Sequence, residues 1–124
     1  MRRVITLILF LLMLMGCSQK MTEEALIEGN WIATSGYEDG EEKGDPNCYP
    51  FEEGIQFKDE DSVFVETFDR DFEYIFSKKD STITFFNNSR IYSYDIKKIS
   101  EDKIVFIGLS SYEGRSCVLE RTQD

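Results

Sequence analysis

The chain has 124 residues, with 24 acidic residues against 14 lysines and arginines and no histidine, so its formal net charge is −10. This length fits one small domain, and the acidity repels nucleic acid and anionic lipid headgroups, so neither is an expected partner. The lack of histidine excludes Ser-His-Asp and Cys-His catalysis and histidine-ligated zinc. We therefore predict a non-catalytic protein with no cofactor and no metal site.

The N-terminus combines positive charge, an apolar run and a cysteine. Two arginines precede thirteen almost wholly apolar residues, 4–16, a run that fits a signal-peptide core and is too short for an ordinary membrane-spanning helix. Leu14-Met15-Gly16-Cys17 resembles the lipobox of bacterial lipoproteins. The resemblance implies a diacylglyceryl group on Cys17, cleavage after Gly16 and N-acylation of the new terminus. An uncleaved N-terminal anchor with a chance cysteine is the alternative.

The lipobox also predicts where the protein resides. Triple acylation is sufficient for stable membrane anchoring. Ser18 is not the aspartate that marks inner-membrane retention in many Gram-negative bacteria, so we predict the outer membrane of the envelope, on its periplasmic face or at the cell surface. The predicted segments are a signal peptide (1–16), a lipidated tether (17–25) and a barrel domain (26–124). Cleavage lowers the lysine and arginine count from 14 to 12 against 24 acidic residues, so the mature net charge is −12.

Three cysteines are an odd number for an exported protein. If lipid occupies Cys17, Cys48 and Cys117 remain as a pair, and we predict that they form a disulfide. The bridge would close a loop of about 70 residues, which stabilises the fold by roughly 4 kcal/mol on a chain-entropy argument. Two free thiols in a cytosolic protein are the alternative if the lipobox is not used.

The rest of the chain predicts one short helix followed by β structure. Thr22 is a candidate N-cap and Gly29 a stop signal, which leaves one or two helical turns. Short β-rich runs separated by polar turns then predict eight strands, at 30–35, 54–58, 62–68, 71–77, 81–86, 90–99, 103–109 and 116–121. Because the breaks are short, successive strands should pair as hairpins. We predict an all-β fold, an eight-stranded antiparallel up-and-down barrel preceded by a short helix, with a sandwich as the alternative.

Alternation predicts the apolar face of several strands. The residues expected to share such a face are Phe72, Tyr74 and Phe76; Ile83 and Phe85; Tyr92, Tyr94 and Ile96; and Val105, Ile107 and Leu109. One segment, 36–51, shows no strand pattern and is predicted to be a long acidic loop of functional or merely mobile character. The disulfide would pin the end of this loop to the last strand.

Gly29-Asn30-Trp31 follows the helical turn and opens the first strand, which resembles the Gly-x-Trp signature of lipocalins and calycins. The strand with Tyr94-Asp95-Ile96, the next polar turn and the strand at 103–109 are similar to the lipocalin-like domains of short bacterial lipoproteins. The resemblance covers about residues 26–121. It implies a lipocalin-like barrel.

The resemblance also implies how one end of the barrel closes. In that superfamily the tryptophan plugs the closed end, and an arginine from the last strand lies over its ring. Here Trp31 is the expected plug. Arg121 is the first candidate for the stacking arginine, and Arg115 is the second candidate. The expected cation–π contact is of order 1 kcal/mol.

The interior of an eight-stranded barrel is either filled by side chains or holds one small ligand. Ten Phe, six Tyr and one Trp favour a packed aromatic core, with an apolar pocket as the alternative. The candidate pocket residues are Phe57, Phe64, Tyr74, Phe76, Phe85, Tyr92 and Tyr94. The functional hypotheses are a non-catalytic envelope module that binds a small apolar ligand, or an acidic module that binds a basic protein, for instance as a lysozyme inhibitor, through the loop at 36–50.

Overall fold

The computed structural model describes residues 21–122, so the predicted signal peptide and the predicted acylation site Cys17 lie outside the described residues. Helix α1 spans Glu23–Ile27. The strands are β1 (Asn30–Glu38), β2 (Glu41–Glu42), β3 (Ile55–Phe57), β4 (Ser62–Val65), β5 (Arg70–Ser77), β6 (Thr82–Asn87), β7 (Arg90–Ser100), β8 (Lys103–Gly108) and β9 (Ser116–Thr122). Short 3-10 turns occupy Glu66–Phe68, part of a predicted strand, and Ser110–Tyr112.

The sheet closes on itself. From β3 to β9 each strand pairs antiparallel with its neighbour in chain order, and β1 pairs with both β3 and β9. Trp31 lies opposite Ile55 on one side and Arg121 on the other. The predicted eight-stranded antiparallel up-and-down barrel is therefore confirmed, and the sandwich alternative is wrong. Strand β2 is additional and pairs only with the end of β1.

Helix α1 closes one end of the barrel. The Thr22 hydroxyl accepts a hydrogen bond from the Ala25 backbone N–H at 3.3 Å, as expected of an N-cap. Met21 and Leu26 are buried in the same core as the strand residues. The turns β3–β4, β5–β6 and β7–β8 lie at this end because successive strands alternate in direction. The part of the predicted tether from Met21 onward thus packs on the barrel, which leaves residues 18–20 between Met21 and Cys17.

The segment at 36–51 is not wholly a loop, and that prediction needs correction. Strand β1 continues to Glu38 and pairs with β2 in a tight hairpin. The turn residues Asp39 and Gly40 both have positive φ, at 54° and 79°. Asp-Gly is a strong signal for such a hairpin turn, but the flanking glutamates have low β propensity and conceal the strands.

The predicted inward face of β8 is wrong. Ile104 and Phe106 belong to the core, whereas Val105 and Ile107 lie on the opposite, outer face. The run from Ile104 to Ile107 is apolar at every position, so it carries no alternation from which a face can be assigned.

The hairpin of β1 and β2 lies on the outer side of β8. Glu42 forms an ion pair with Lys103 at 3.3 Å, and hairpin residues and Ile107 line one groove. Val105 and its β9 partner Val118 are fully buried although they lie outside the core cluster. Part of the outer face of the barrel is therefore covered.

Candidate binding sites

The closed end of the barrel is held by one aromatic and one cationic side chain. The Arg121 guanidinium carbon lies 4.7 Å from the centre of the Trp31 ring. The Trp31 indole N–H donates to the Leu26 carbonyl at 3.0 Å, and an Arg121 N–H donates to the Ala25 carbonyl at 2.8 Å. These bonds satisfy carbonyls at the end of helix α1 that have no partner within the helix. The structure thus brings the predicted pair together, while Arg115 lies over the Tyr112 ring instead.

The predicted pocket residues fall into three groups. Those that point inward and are buried are Phe57, Tyr74, Phe85, Tyr92 and Tyr94. Phe76 is only partly buried and packs against the edge of this core. Phe64 points outward, because Val63 and Val65 on either side of it are fully buried and face the core. The prediction for Phe64 is therefore wrong, since strand β4 is a short apolar run without a period.

Phe51 lies inside the barrel and is fully buried, although it was predicted to belong to the loop at 36–51. Its ring centre is 4.2 Å from that of Phe85, 5.3 Å from that of Tyr92 and 5.8 Å from that of Tyr94, with edge-on geometry toward both tyrosines. Such ring pairs add to the stabilisation from area burial alone. The part of the interior lined by these residues is filled by a side chain of the loop.

The loop that carries Phe51 is fixed on both sides of it. Cys48 forms the predicted disulfide with Cys117 of β9, which is confirmed. The Phe51 N–H donates to the Cys48 carbonyl at 2.8 Å, and the Ala33 N–H of β1 donates to the Glu52 carbonyl at 3.3 Å. Residues 49–53, the strap, therefore hold the ring in place from the end of the barrel opposite helix α1.

One polar atom in this core lacks a partner. The Tyr94 hydroxyl is fully buried and makes no hydrogen bond within the described residues. Burial raises the pKa of Tyr94 above its ordinary value. By contrast, the Tyr74 hydroxyl donates to the Asp59 carbonyl at 2.6 Å. Since buried polar groups are nearly always paired, the Tyr94 hydroxyl marks a place where a further polar atom is expected.

The outer face beside the hairpin forms a groove of about 590 Å³. Its charged lining residues are four acidic ones, Glu38, Asp39, Asp45 and Glu113, and the lysines Lys43 and Lys97, and Ile107 is apolar. Residues 36–54, which form the hairpin and the strap, contain seven acidic residues against one lysine. The groove is therefore bordered by an acidic stretch of the chain, and Ile107 adds an apolar side chain to its lining.

Two aromatic rings are exposed near the strap. Tyr49 is 49% exposed, and its ring makes an edge-on contact with Phe68, whose centre is 6.0 Å away. Phe68 in turn stacks on the buried Phe72 ring. Exposed rings supported in this way are typical anchors of protein–protein interfaces.

Across residues 21–122, no group of three or more histidine, cysteine or acidic side chains is arranged to hold a metal ion. The same residues include no helix that is long and apolar enough to cross a membrane. Comparisons with protein-family models, curated proteins and solved structures find no match to this chain. The chain's own geometry defines its class, a small closed antiparallel barrel with a helix at one end, which is consistent with a lipocalin-like fold.

Proposed function

We propose that this protein is a lipid-anchored, non-catalytic lipoprotein of the bacterial envelope, with a lipocalin-like barrel, that docks a basic protein in the groove beside its acidic hairpin. The observation that carries this proposal is the concentration of negative charge at that groove. The filled interior gives the barrel the role of a rigid scaffold. Four acidic side chains against Lys43 and Lys97 line the groove, and an excess of one charge attracts partners of the opposite charge and speeds their association.

The groove and its surroundings also have the composition of a docking surface. Ile107 contributes an apolar side chain to the lining, and acidic side chains predominate among its charged residues. The exposed Tyr49 and Phe68 offer rings on which lysine stems or guanidinium groups of a partner can pack. A basic partner would therefore gain from both charge and contact area.

The proposed anchor orients this surface. Met21 is buried at the closed end, and only residues 18–20 separate it from Cys17. Four Cα–Cα steps span at most about 14 Å, so the closed end would lie next to the membrane surface. The groove reaches Gly114, in the β8–β9 connection, and Ser116, the first residue of β9, at the opposite end. It would therefore face away from an outer membrane that holds the acyl chains.

Binding to a lysozyme, as a basic probe protein, tests this function. The variant Glu38→Gln/Asp39→Asn/Glu41→Gln neutralises three exposed hairpin carboxylates with no ion pair among the described residues. We expect this variant to bind at least about tenfold more weakly than the wild type, and wild-type binding to weaken steeply as salt is raised. Calorimetry or surface binding at several salt concentrations provides the measurement.

A matched control changes the same net charge at the other end of the barrel. Glu24→Gln/Glu60→Gln/Asp61→Asn removes three exposed carboxylates near helix α1. This control should bind within about twofold of the wild type, because its charges lie on helix α1 and in the β3–β4 turn, at the opposite end of the barrel from Gly114 of the groove, and salt screens charges over about 10 Å. Equal losses in the two variants, binding that salt does not change, or no binding to any basic protein would contradict the proposed docking site.

A second candidate function is the binding of a small apolar molecule inside the barrel. The unpartnered, buried Tyr94 hydroxyl favours it. Because Phe51 fills the adjacent space, such a molecule has no preformed cavity there and must displace that ring.

A further inference from the structure

We propose that the strap at residues 49–53 is a movable lid, that the Phe51 ring occupies the site of a ligand, and that this ligand is a single-ring aromatic molecule with one hydroxyl group. This inference rests on the second candidate function and adds to it the class of ligand and the means of closure. Three observations carry it: the surroundings of the Phe51 ring, the unpartnered Tyr94 hydroxyl, and the points at which the strap is fixed.

The surroundings of Phe51 define the shape of the ligand. Its ring lies against Phe85 with the centres 4.2 Å apart, and the Tyr92 and Phe72 rings stand nearly perpendicular to it, with their centres 5.3 Å and 6.0 Å away. Displacement of this side chain would leave a space for one aromatic ring with the same stacking and edge-on contacts. A larger fused-ring system would require further core residues to move.

The Tyr94 hydroxyl defines the polar group of the ligand. Tyr94 contacts Phe51 edge-on at 5.8 Å and is fully buried, with no hydrogen-bond partner among the described residues. A hydroxyl can donate to it or accept from it, whereas a charged group would have to lose its hydration in an apolar interior. A neutral phenol-like molecule satisfies both requirements.

The strap is able to move without disturbing the barrel strands. Cys48 is fixed by its disulfide on one side, and Ile55 begins strand β3 on the other. Between them, the backbone bond from Ala33 to the Glu52 carbonyl is long, at 3.3 Å. Tyr49 and Glu53 are exposed, so the principal core contact of the strap is Phe51 itself, with Pro50 beside it. An outward swing of the strap would open the site from the end that faces away from helix α1.

Phenol and toluene form a matched pair of probes, since they have nearly the same size and differ in the hydroxyl group. Their affinities would be measured on the full chain in one detergent by NMR of the Tyr92 and Tyr94 rings. We expect Phe51→Ala to bind phenol at least about tenfold more tightly than the wild type, because the competing ring is gone. Ile75→Ala, which shortens an exposed apolar side chain on the outer face of β5, is the control and should leave the affinity unchanged.

Tyr94→Phe in the Phe51→Ala background tests the polar contact. It should weaken phenol binding by about tenfold and change toluene binding less than twofold. If Phe51→Ala does not fold, Phe51→Leu should show a smaller gain of the same sign, and phenol should still shift the Tyr92 and Tyr94 signals of the wild type.

The outcomes distinguish failure of the second candidate function from failure of the lid. If neither probe enters any variant, the second candidate function fails, and the lid fails with it. If both probes enter the wild type and Phe51→Ala equally well, an interior ligand stands but the lid is refuted. If Tyr94→Phe weakens phenol and toluene alike, the ligand class is refuted.

Discussion

At the scale of single residues, Arg121 connects the last strand to helix α1 and to the start of β1. It stacks on Trp31, donates to the Ala25 carbonyl and keeps only 14% of its side chain exposed. Its ion pairs with Glu28 and Asp102 are long, at 3.7 and 3.9 Å, and their partners are exposed, so they add little. The ring contact and the hydrogen bond to the helix end are therefore its main contributions.

Arg121→Ala should lower the free energy of unfolding by about 3 kcal/mol, from the cation–π contact, the charge-assisted hydrogen bond and the exposed helix carbonyl. Urea unfolding followed by Trp31 fluorescence provides the measurement. Arg115→Ala is the matched control, since Arg115 is exposed and 5.4 Å from the Tyr112 ring, and it should cost less than about 1 kcal/mol. Similar costs for the two substitutions would refute the role assigned to Arg121.

Two buried tyrosines should make stability depend on alkaline pH. Burial raises the pKa of both Tyr74 and Tyr94, and the negative charges of Glu23 and Asp59 add to the shift at Tyr74. In the unfolded chain both ionise near pH 10. Their contribution is therefore complete below about pH 10 and is lost as the pH rises toward their folded values.

The urea midpoint of the wild type should fall above about pH 10 more steeply than that of the variant Tyr74→Phe/Tyr94→Phe. The difference between the two proteins removes the effect of lysines and of the other tyrosines. Absorbance at about 295 nm should show the two late phenols in the native protein and their early ionisation in urea. If the urea midpoints of the two proteins fall in parallel as the pH rises, the pKa values of Tyr74 and Tyr94 are not raised by folding.

At the scale of elements, the sequence predicts most strands because alternation and turn chemistry agree in them. In β5, β6 and β7, the residues predicted to share a face do point inward, as Tyr74, Phe85 and Tyr94 show. In β4 and β8 every position from Val63 to Val65 and from Ile104 to Ile107 is apolar, so pattern alone cannot choose a face. Val105 is buried on the outer face although it lies outside the core cluster, and burial of this kind depends on contacts that a local pattern does not contain.

The β8–β9 connection depends on a glycine. A Cβ at Gly108 would collide with the Tyr112 carbonyl oxygen and approach the Arg115 carbonyl oxygen at 2.5 Å. Gly108→Ala should therefore cost about 3 kcal/mol in unfolding free energy by forcing the backbone apart. Gly40→Ala is a suitable control, because nothing lies within 4 Å of the added carbon and only its positive φ of 79° is unfavourable, at about 1 kcal/mol. If Gly108→Ala costs no more than Gly40→Ala, the close packing of this connection is wrong.

At the scale of the whole molecule, the candidate sites were only partly predictable. The acidic segment and the Cys48–Cys117 pair were evident from charge and cysteine count. Phe51 was not, because a single phenylalanine between Pro50 and two glutamates has no periodic neighbours. Its burial depends on the disulfide and on the turn that joins Cys48 to Phe51, both of which are features of the folded chain. Because Phe51 fills part of the interior, we favour the binding of a basic protein at the outer groove over the binding of a small molecule inside the barrel.

In the proposed arrangement, acyl chains on Cys17 would hold this barrel at a membrane with its acidic groove facing away. The most direct test is the intact mass of the native protein extracted from bacterial membranes. The proposal predicts a chain that begins at residue 17 and carries a diacylglyceryl group and an N-linked acyl chain. A mass that retains Met1, or a chain with a free thiol at residue 17, would contradict the claim.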